Sequence, residues 1–218
     1  MKMKNKKTGN IADRQIRRRE PYLERVAPQL DEKPLILIVC EGKNTEPSYF
    51  KQFRISSAIV KPVGIGYNTV SLVKKATQLA SQDKYDQIWC VFDKDDFPDN
   101  DFNSAINIAQ TKNFRIAYSN QSFEYWFILH FDDHQGGGMH RDDYNEKINK
   151  LLKPFAVTYE GKGNKKITED FFELLNERVE LAIKRAKRNY NRSDHSNPAQ
   201  EESSTTVFKL VEELLKYV

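Results

Sequence analysis

Four carboxylates stand where chemistry can use them. Glu41 follows the apolar run "LILIVC", and Asp93, Asp95 and Asp96 close the run "QIWCVF" in the string "VFDKDDFPD". Crowded carboxylates repel and raise one another's pKa values. A divalent cation relieves that repulsion, and Mg²⁺ suits carboxylate and water ligands. If the two runs are neighbouring parallel strands, their acids meet at the carboxyl ends, where α/β sheets gather their sites. Gly42 then lets the backbone turn tightly and leaves room for a substrate. Singly, Glu41 reads as a helix-entry acid favoured by the dipole, and the acidic run reads as a solvated turn. The coincidence of both, each closing a buried strand, favours a site.

The elements that must position these acids are legible in outline. "LILIVC" is continuous and apolar, as in a strand buried on both faces. Thr45-Glu46-Pro47 opens a helix, with Thr45 as N-cap and Pro47 in the first turn. "VKPVGIG" reads as a short strand, "NTVSLVKKATQLASQ" as a helix, "QIWCVFD" as a second buried strand, "NSAINIAQ" as a helix and "FRIAYS" as a third strong strand. Strands alternating with helices imply a parallel sheet with right-handed crossovers. Beyond residue 120 the pattern becomes helical. "SFEYWFILHF" predicts a helix capped by Ser122, residues 143 to 153 and 168 to 190 predict two more, and "TTVFKLVEELLKYV" predicts a terminal amphipathic helix. The organisation is a basic arm over 1–32, an α/β core over 33–135, and a helical part over 136–218 that completes the same domain.

Composition bounds the partners. The chain has 218 residues, is 39% hydrophobic and 30% charged, and has a net charge of +4. No apolar run approaches the roughly 20 residues of a membrane span. Cys40 and Cys90 lie inside apolar runs, where a thiol acts as a small hydrophobe, so a reduced, cytoplasmic protein is expected. Residues 1 to 30 hold nine Lys/Arg against three Asp/Glu, and the rest holds 26 against 28. The positive excess therefore lives in the arm. Arg17, Arg18 and Arg19 are its candidates for contacting nucleic-acid phosphates by counterion release; a solubilising tail is the plainer role. Lys184, Arg185, Lys187, Arg188 and Arg192 in "LAIKRAKRNYNR" could form a second phosphate track, with Tyr190 for stacking, or simply a charged solvent face. Other signals point nowhere. His130, His134 and His140 lack an HExxH pattern, and a phosphate loop would need Gly where Leu37 stands.

Taken together, "ILIVCEGKNTEPSYF", "VFDKDDFP", "SNQSFEYWFILHF" and the terminal "TTVFKLVEELL" resemble the RloB-like family. The Glu after one strand and Asp-x-Asp after another resemble the Toprim arrangement of topoisomerases, primases and OLD-family nucleases. The resemblance implies a Toprim-like three-layer parallel sheet with a helical C-terminal part. It carries Glu41, Asp93 and Asp95 onto the Toprim acids, extends the metal set to Asp96 and Glu124, and places Asn120 in the third motif. It implies Mg²⁺ or Mn²⁺ and metal-assisted phosphodiester hydrolysis, in which two cations activate water and stabilise the leaving oxygen. Lys162 is the first candidate to stabilise the transition-state charge, with Lys165 and Lys166 beside it. The family further implies a nuclease effector of bacterial anti-phage defence, acting on DNA or RNA and controlled by an ABC-type or AAA-type ATPase. Gln121 stands where many relatives have Pro. Two alternatives stay open: a catalytically inactive nucleic-acid-binding sensor or adaptor, and a DxD phosphatase of the haloacid-dehalogenase type with Asp93 as nucleophile.

Overall fold

A computed structural model of the chain describes residues 33–62, 69–135, 137–160 and 166–218. The arm and the "GKGNK" loop, with Arg17, Arg18, Arg19, Lys162 and Lys165, lie outside the described residues. Residues 33–218 form one compact unit. The expected strands β1 (Ile36–Cys40), β3 (Gln87–Asp93) and β4 (Arg115–Asn120) are present, and β2 (Ala58–Pro62) begins two residues before the expected "VKPVGIG", whose residues 63–66 lie outside the described residues. They pair in parallel in the order β2-β1-β3-β4. A short fifth strand, β5 (Ser204–Thr205), adds antiparallel to the end of β4. It joins the last residue of the expected polar connection, Ser204, to the first of the expected terminal helix, Thr205. The Ser119 and Thr205 hydroxyls meet at 3.0 Å there, and Thr206 Oγ1 accepts the Tyr118 N–H at 2.8 Å.

The helices cover both faces, which is why the strands read as unbroken apolar runs. α1 (Thr45–Lys51) and α4 (Glu124–Phe131) lie against Ile36, Ile38, Cys40, Trp89 and Val91. α2 (Thr69–Ala80) and α3 (Asp99–Thr111) lie against Leu37, Val39, Cys90 and Phe92. α5 (Arg141–Leu152), α6 (Glu169–Asn176), α7 (Val179–Tyr190) and α8 (Val207–Leu214) extend the first layer. The result is a three-layer α/β domain, consistent with the Toprim-like expectation. α4 is buried on every side from Glu124 to His130, as an all-round apolar helix must be. Its Trp126 indole N–H donates to the Tyr49 hydroxyl at 2.9 Å, which fastens the start of α4 to α1.

Three local expectations are corrected. Thr45 does not cap α1; Asn44 holds that position, without a side-chain hydrogen bond. Ser122 does not cap α4 with its side chain. Its carbonyl takes the Tyr125 N–H at 3.0 Å, and its hydroxyl turns to Glu124. The helix expected over 168 to 190 is two helices, because Arg178 leaves helical geometry (φ −115°, ψ 7°) and its guanidinium bonds back to the Leu174 carbonyl at 2.9 Å.

Candidate metal centre

β1 is the switch point of the sheet. The chain leaves it through α1 toward β2 on one side and returns through α2 to β3 on the other. The crevice beyond the carboxyl ends of β1 and β3 is where such sheets bind ligands. Glu41 and Asp93 occupy it from the two sides. The Glu41 N–H donates to the Val91 carbonyl at 2.9 Å, which prolongs the β1–β3 pairing by one step. Glu41 Oε2 in turn lies 3.4 Å from the Asp93 N–H.

By strand alternation Asp93 shares a face with Trp89 and Val91, toward α1 and α4. There its carboxylate meets the first turns of both helices. Asp93 Oδ2 accepts the Phe123 N–H at 3.0 Å. Oδ1 is covered and has no hydrogen-bond partner among the described residues. Removal from water pushes the Asp93 carboxyl well above its ordinary range. The charges of Glu46, Asp95 and Glu124 push it further, and the Phe123 N–H opposes them. Asp95 holds a left-handed conformation (φ 43°), which turns the chain sharply after the strand. Its N–H donates to the Gln121 carbonyl at 3.1 Å, and the Lys94 N–H donates to Ser119 O at 2.9 Å. Lys94 is buried beneath this turn. Its ammonium donates to the Phe97 carbonyl at 2.6 Å and pairs with Asp99 at 3.1 Å, so it braces the loop.

Glu46, read from sequence only as part of a helix opening, is a buried member of this cluster. Gly42 donates its N–H to Glu46 Oε1 at 3.2 Å, and a Cβ on Gly42 would collide with both Glu46 oxygens. The space expected to be left for a substrate is taken by this carboxylate. The available signal was the second acid five residues after Glu41, beyond a glycine turn. Glu124 is buried as well. Its Oε1 accepts the Tyr159 hydroxyl at 2.8 Å, and its Oε2 accepts the Ser122 hydroxyl. Ser122 was expected only as a helix cap, and Tyr159 carries no signal in the sequence. Beneath the cluster, burial and the Glu46 charge push the Cys40 thiol far up, so it stays neutral.

The other expected residues have partners or exposure of their own. Asp96 is exposed, with His140 Nε2 at 4.0 Å. Asn120 is buried and spends its amide N–H groups on the Pro198 and Ala199 carbonyls, at 3.1 and 2.9 Å. On α7, Arg188 forms a bidentate pair with Asp133, at 3.0 and 2.5 Å, and Arg185 donates to the Leu129 carbonyl at 2.8 Å. Lys187 pairs with Glu212. These three side chains pin α7 to its neighbours. Lys184 is exposed on the same helix, and Lys166 is exposed at the edge of the undescribed loop.

The donor set is all oxygen, anionic and partly shielded, which is the chemistry a hard divalent cation seeks. Among the described residues, no three His, Cys, Asp or Glu side chains are already arranged to hold one ion. The carboxylates are gathered, while several of their oxygens rest on protein donors. Asp93 Oδ1 is covered without a hydrogen-bond partner among the described residues, and so is open to a cation.

Compared with known proteins, residues 36–214 match the family model described as RloB-like protein. No curated protein and no solved structure matches the chain.

Proposed function

The chain belongs to the RloB-like family, and from that premise we propose that it is a metal-dependent nuclease. The observation that carries the proposal is the gathering of Asp93, Asp95, Glu46 and Glu124 beside Glu41, at the switch point of the sheet. Nothing in the fold requires three further acids to act on Asp93 there, and each addition makes the metal-free crevice less favourable. Asp93, Asp95, Glu46 and Glu124 would hold Mg²⁺ or Mn²⁺, with Glu41 as a further ligand or a general base. Bound divalent ions supply a nucleophile at neutral pH and charge stabilisation for the leaving oxygen of a phosphodiester. The protein's own part is to set the acids. The Asp93 N–H holds Glu41, the Phe123 N–H orients Asp93, and Lys94 braces the turn that carries Asp95.

The same premise extends to a nuclease effector of anti-phage defence, restrained until a partner ATPase is triggered. The chain offers no Gly at Leu37 for a phosphate loop of its own, and an unrestrained nuclease would harm its host. The test is to incubate the purified chain, alone and with its neighbouring ATPase, with single- and double-stranded DNA and with RNA. Each reaction is run in Mg²⁺, Mn²⁺ or EDTA. Cleavage should require metal, vanish in Glu41→Ala and Asp93→Ala, and rise when the ATPase is triggered. Equal cleavage by the acid variants would refute the site. Metal binding without cleavage under any of these conditions would favour a sensor or adaptor.

A further inference from the structure

We propose that Tyr159 is a positioning residue of the acid centre, holding Glu124 in the direction a cation needs; this rests on the metal reading above. Tyr159 lies in the segment between a 3₁₀ turn (Lys153–Phe155) and the undescribed loop, outside any helix or strand. It is nevertheless only 3% exposed. Its ring packs on Phe127 and Phe171, with centroids 5.7 Å away in both cases. A phenylalanine would serve that packing. The hydroxyl needs a further reason, because a buried polar group is unfavourable unless it is paired.

The pairing runs into the acid centre. The Tyr159 hydroxyl donates to Glu124 Oε1 at 2.8 Å and lies 3.3 Å from Thr45 Oγ1. An ionised carboxylate only accepts, so the Tyr159 proton goes to Glu124, and Thr45 is left as the donor to Tyr159. One hydroxyl thus joins the first turn of α1, next to Glu46, with the first turn of α4. With Ser122 on Oε2, both oxygens of Glu124 are fixed.

The chain segment that delivers this hydroxyl is clamped from both sides. Asn149 of α5 donates Nδ2–H to the Tyr159 carbonyl at 2.9 Å and accepts the Tyr159 N–H on Oδ1 at 2.9 Å. A side-chain amide here does the work a neighbouring strand would do. The donor to Glu124 is also neutral. A lysine or arginine would orient the carboxylate too, but would cancel the charge meant for a cation. A tyrosine orients it and leaves the charge available, as partners of metal-bound carboxylates do.

Mn²⁺ binding without substrate tests this, read by electron paramagnetic resonance on the full chain together with its Tm. Tyr159→Phe should weaken Mn²⁺ binding about 10- to 100-fold while keeping a cooperative melt. In a Glu124→Ala background the same change should have no further effect, because the hydroxyl acts through that carboxylate. Asn149→Ala keeps the hydroxyl but frees its backbone, and should give a smaller loss that also disappears with Glu124→Ala. It carries the test if Tyr159→Phe does not fold. Wild-type affinity in the folded variants, or an equal loss in the Glu124→Ala background, would overturn the assignment and leave the metal site standing. Absence of Mn²⁺ binding by the wild type would overturn both.

Discussion

At the carboxyl end of β3, Asp93 accepts one backbone N–H and faces the charges of Glu46, Asp95 and Glu124. At the amino ends of β3 and β4, Glu213 of α8 is just as firmly placed but differently served. It accepts from Gln87 Nε2 at 2.7 Å, Arg115 Nη1 at 3.2 Å, Lys216 Nζ at 2.7 Å and the Tyr217 hydroxyl at 3.0 Å. Burial pushes the Glu213 carboxyl up, but the hydrogen bonds from Gln87, Lys216 and Tyr217 and the Lys216 charge outweigh it and bring it down to about 2. The same residue class at two ends of one sheet is thus driven in opposite directions. An acid given donors and cations fastens helix to sheet. An acid given one backbone N–H and three further acids stays repelled, which is the motive for the metal proposed above. Strong perturbation alone does not mark a functional site; its sign and the company kept by the carboxylate separate the two ends.

The sharpest way to break this comparison is Asp93→Asn. Catalysis should fall by more than about 100-fold, since losing even an outer partner of a metal ligand costs 10- to 100-fold. Metal-free stability should instead rise, because the variant removes a charge from a repelling cluster. The pH dependence follows from the raised pKa of Asp93. Its contribution to the metal-free fold is full below the unfolded value of about 3.9 and is lost as pH rises through the folded value. Melting in EDTA should therefore show Asp93→Asn gaining most over wild type near neutral pH. A metal-free variant less stable than wild type there would end the contrast.

Next in size is Gly42→Ala. Its Cβ meets the Glu46 oxygens, so either the turn or the carboxylate must move. Metal affinity should drop about 10-fold or more with a modest change in Tm. Glu213→Gln tests the other end. Its lowered pKa corresponds to about 3 kcal/mol, or about 2 once solvent around Lys216 and Arg115 is allowed for. That stabilisation is present above the unfolded value of about 4.3 and is lost as pH falls toward about 2. Glu213→Gln should lower Tm at pH 7, lose that deficit in acid, and leave Mn²⁺ affinity unchanged.

The two ends also differ in how far they could be read in advance. Glu41, Asp93 and Asp95 were legible because a buried apolar strand that ends on a carboxylate breaks its own pattern. Glu124 was reached through the family motif. Glu46 was hidden by its normality, since an acid in the first turn of a helix is what the dipole favours. Tyr159 could not be seen at all, because its hydroxyl reaches Glu124 across 35 positions of sequence through an irregular segment. The Glu213 network was equally silent, depending on which residues begin β3 and β4. Periodicity reveals strands and faces. It does not reveal which distant donor meets which carboxylate, and here that decides the role of each acid.

The same reasoning extends to cations, and the smallest expected effect comes from α7. Its basic run reads from sequence as a possible phosphate track, yet Arg188 and Arg185 are spent on Asp133 and the Leu129 carbonyl, 55 and 56 residues away. The Asp133 carboxyl is held below its usual range, chiefly by its hydrogen bonds from Arg188. Lys184 is exposed and has no ion pair among the described residues. A cation that already has its anion is a fastening, and one without an anion remains open to a phosphate. Arg188→Ala should therefore lower Tm slightly and leave nucleic-acid affinity unchanged. Lys184→Ala should leave Tm unchanged and reduce the slope of log K against log salt by about 1. Melting curves and a salt titration of binding check both variants together. If Arg188→Ala flattens the salt slope while Lys184→Ala does not, partnered charges serve as ligand contacts in this protein, and the distinction drawn between the two ends of the sheet does not extend to its cations.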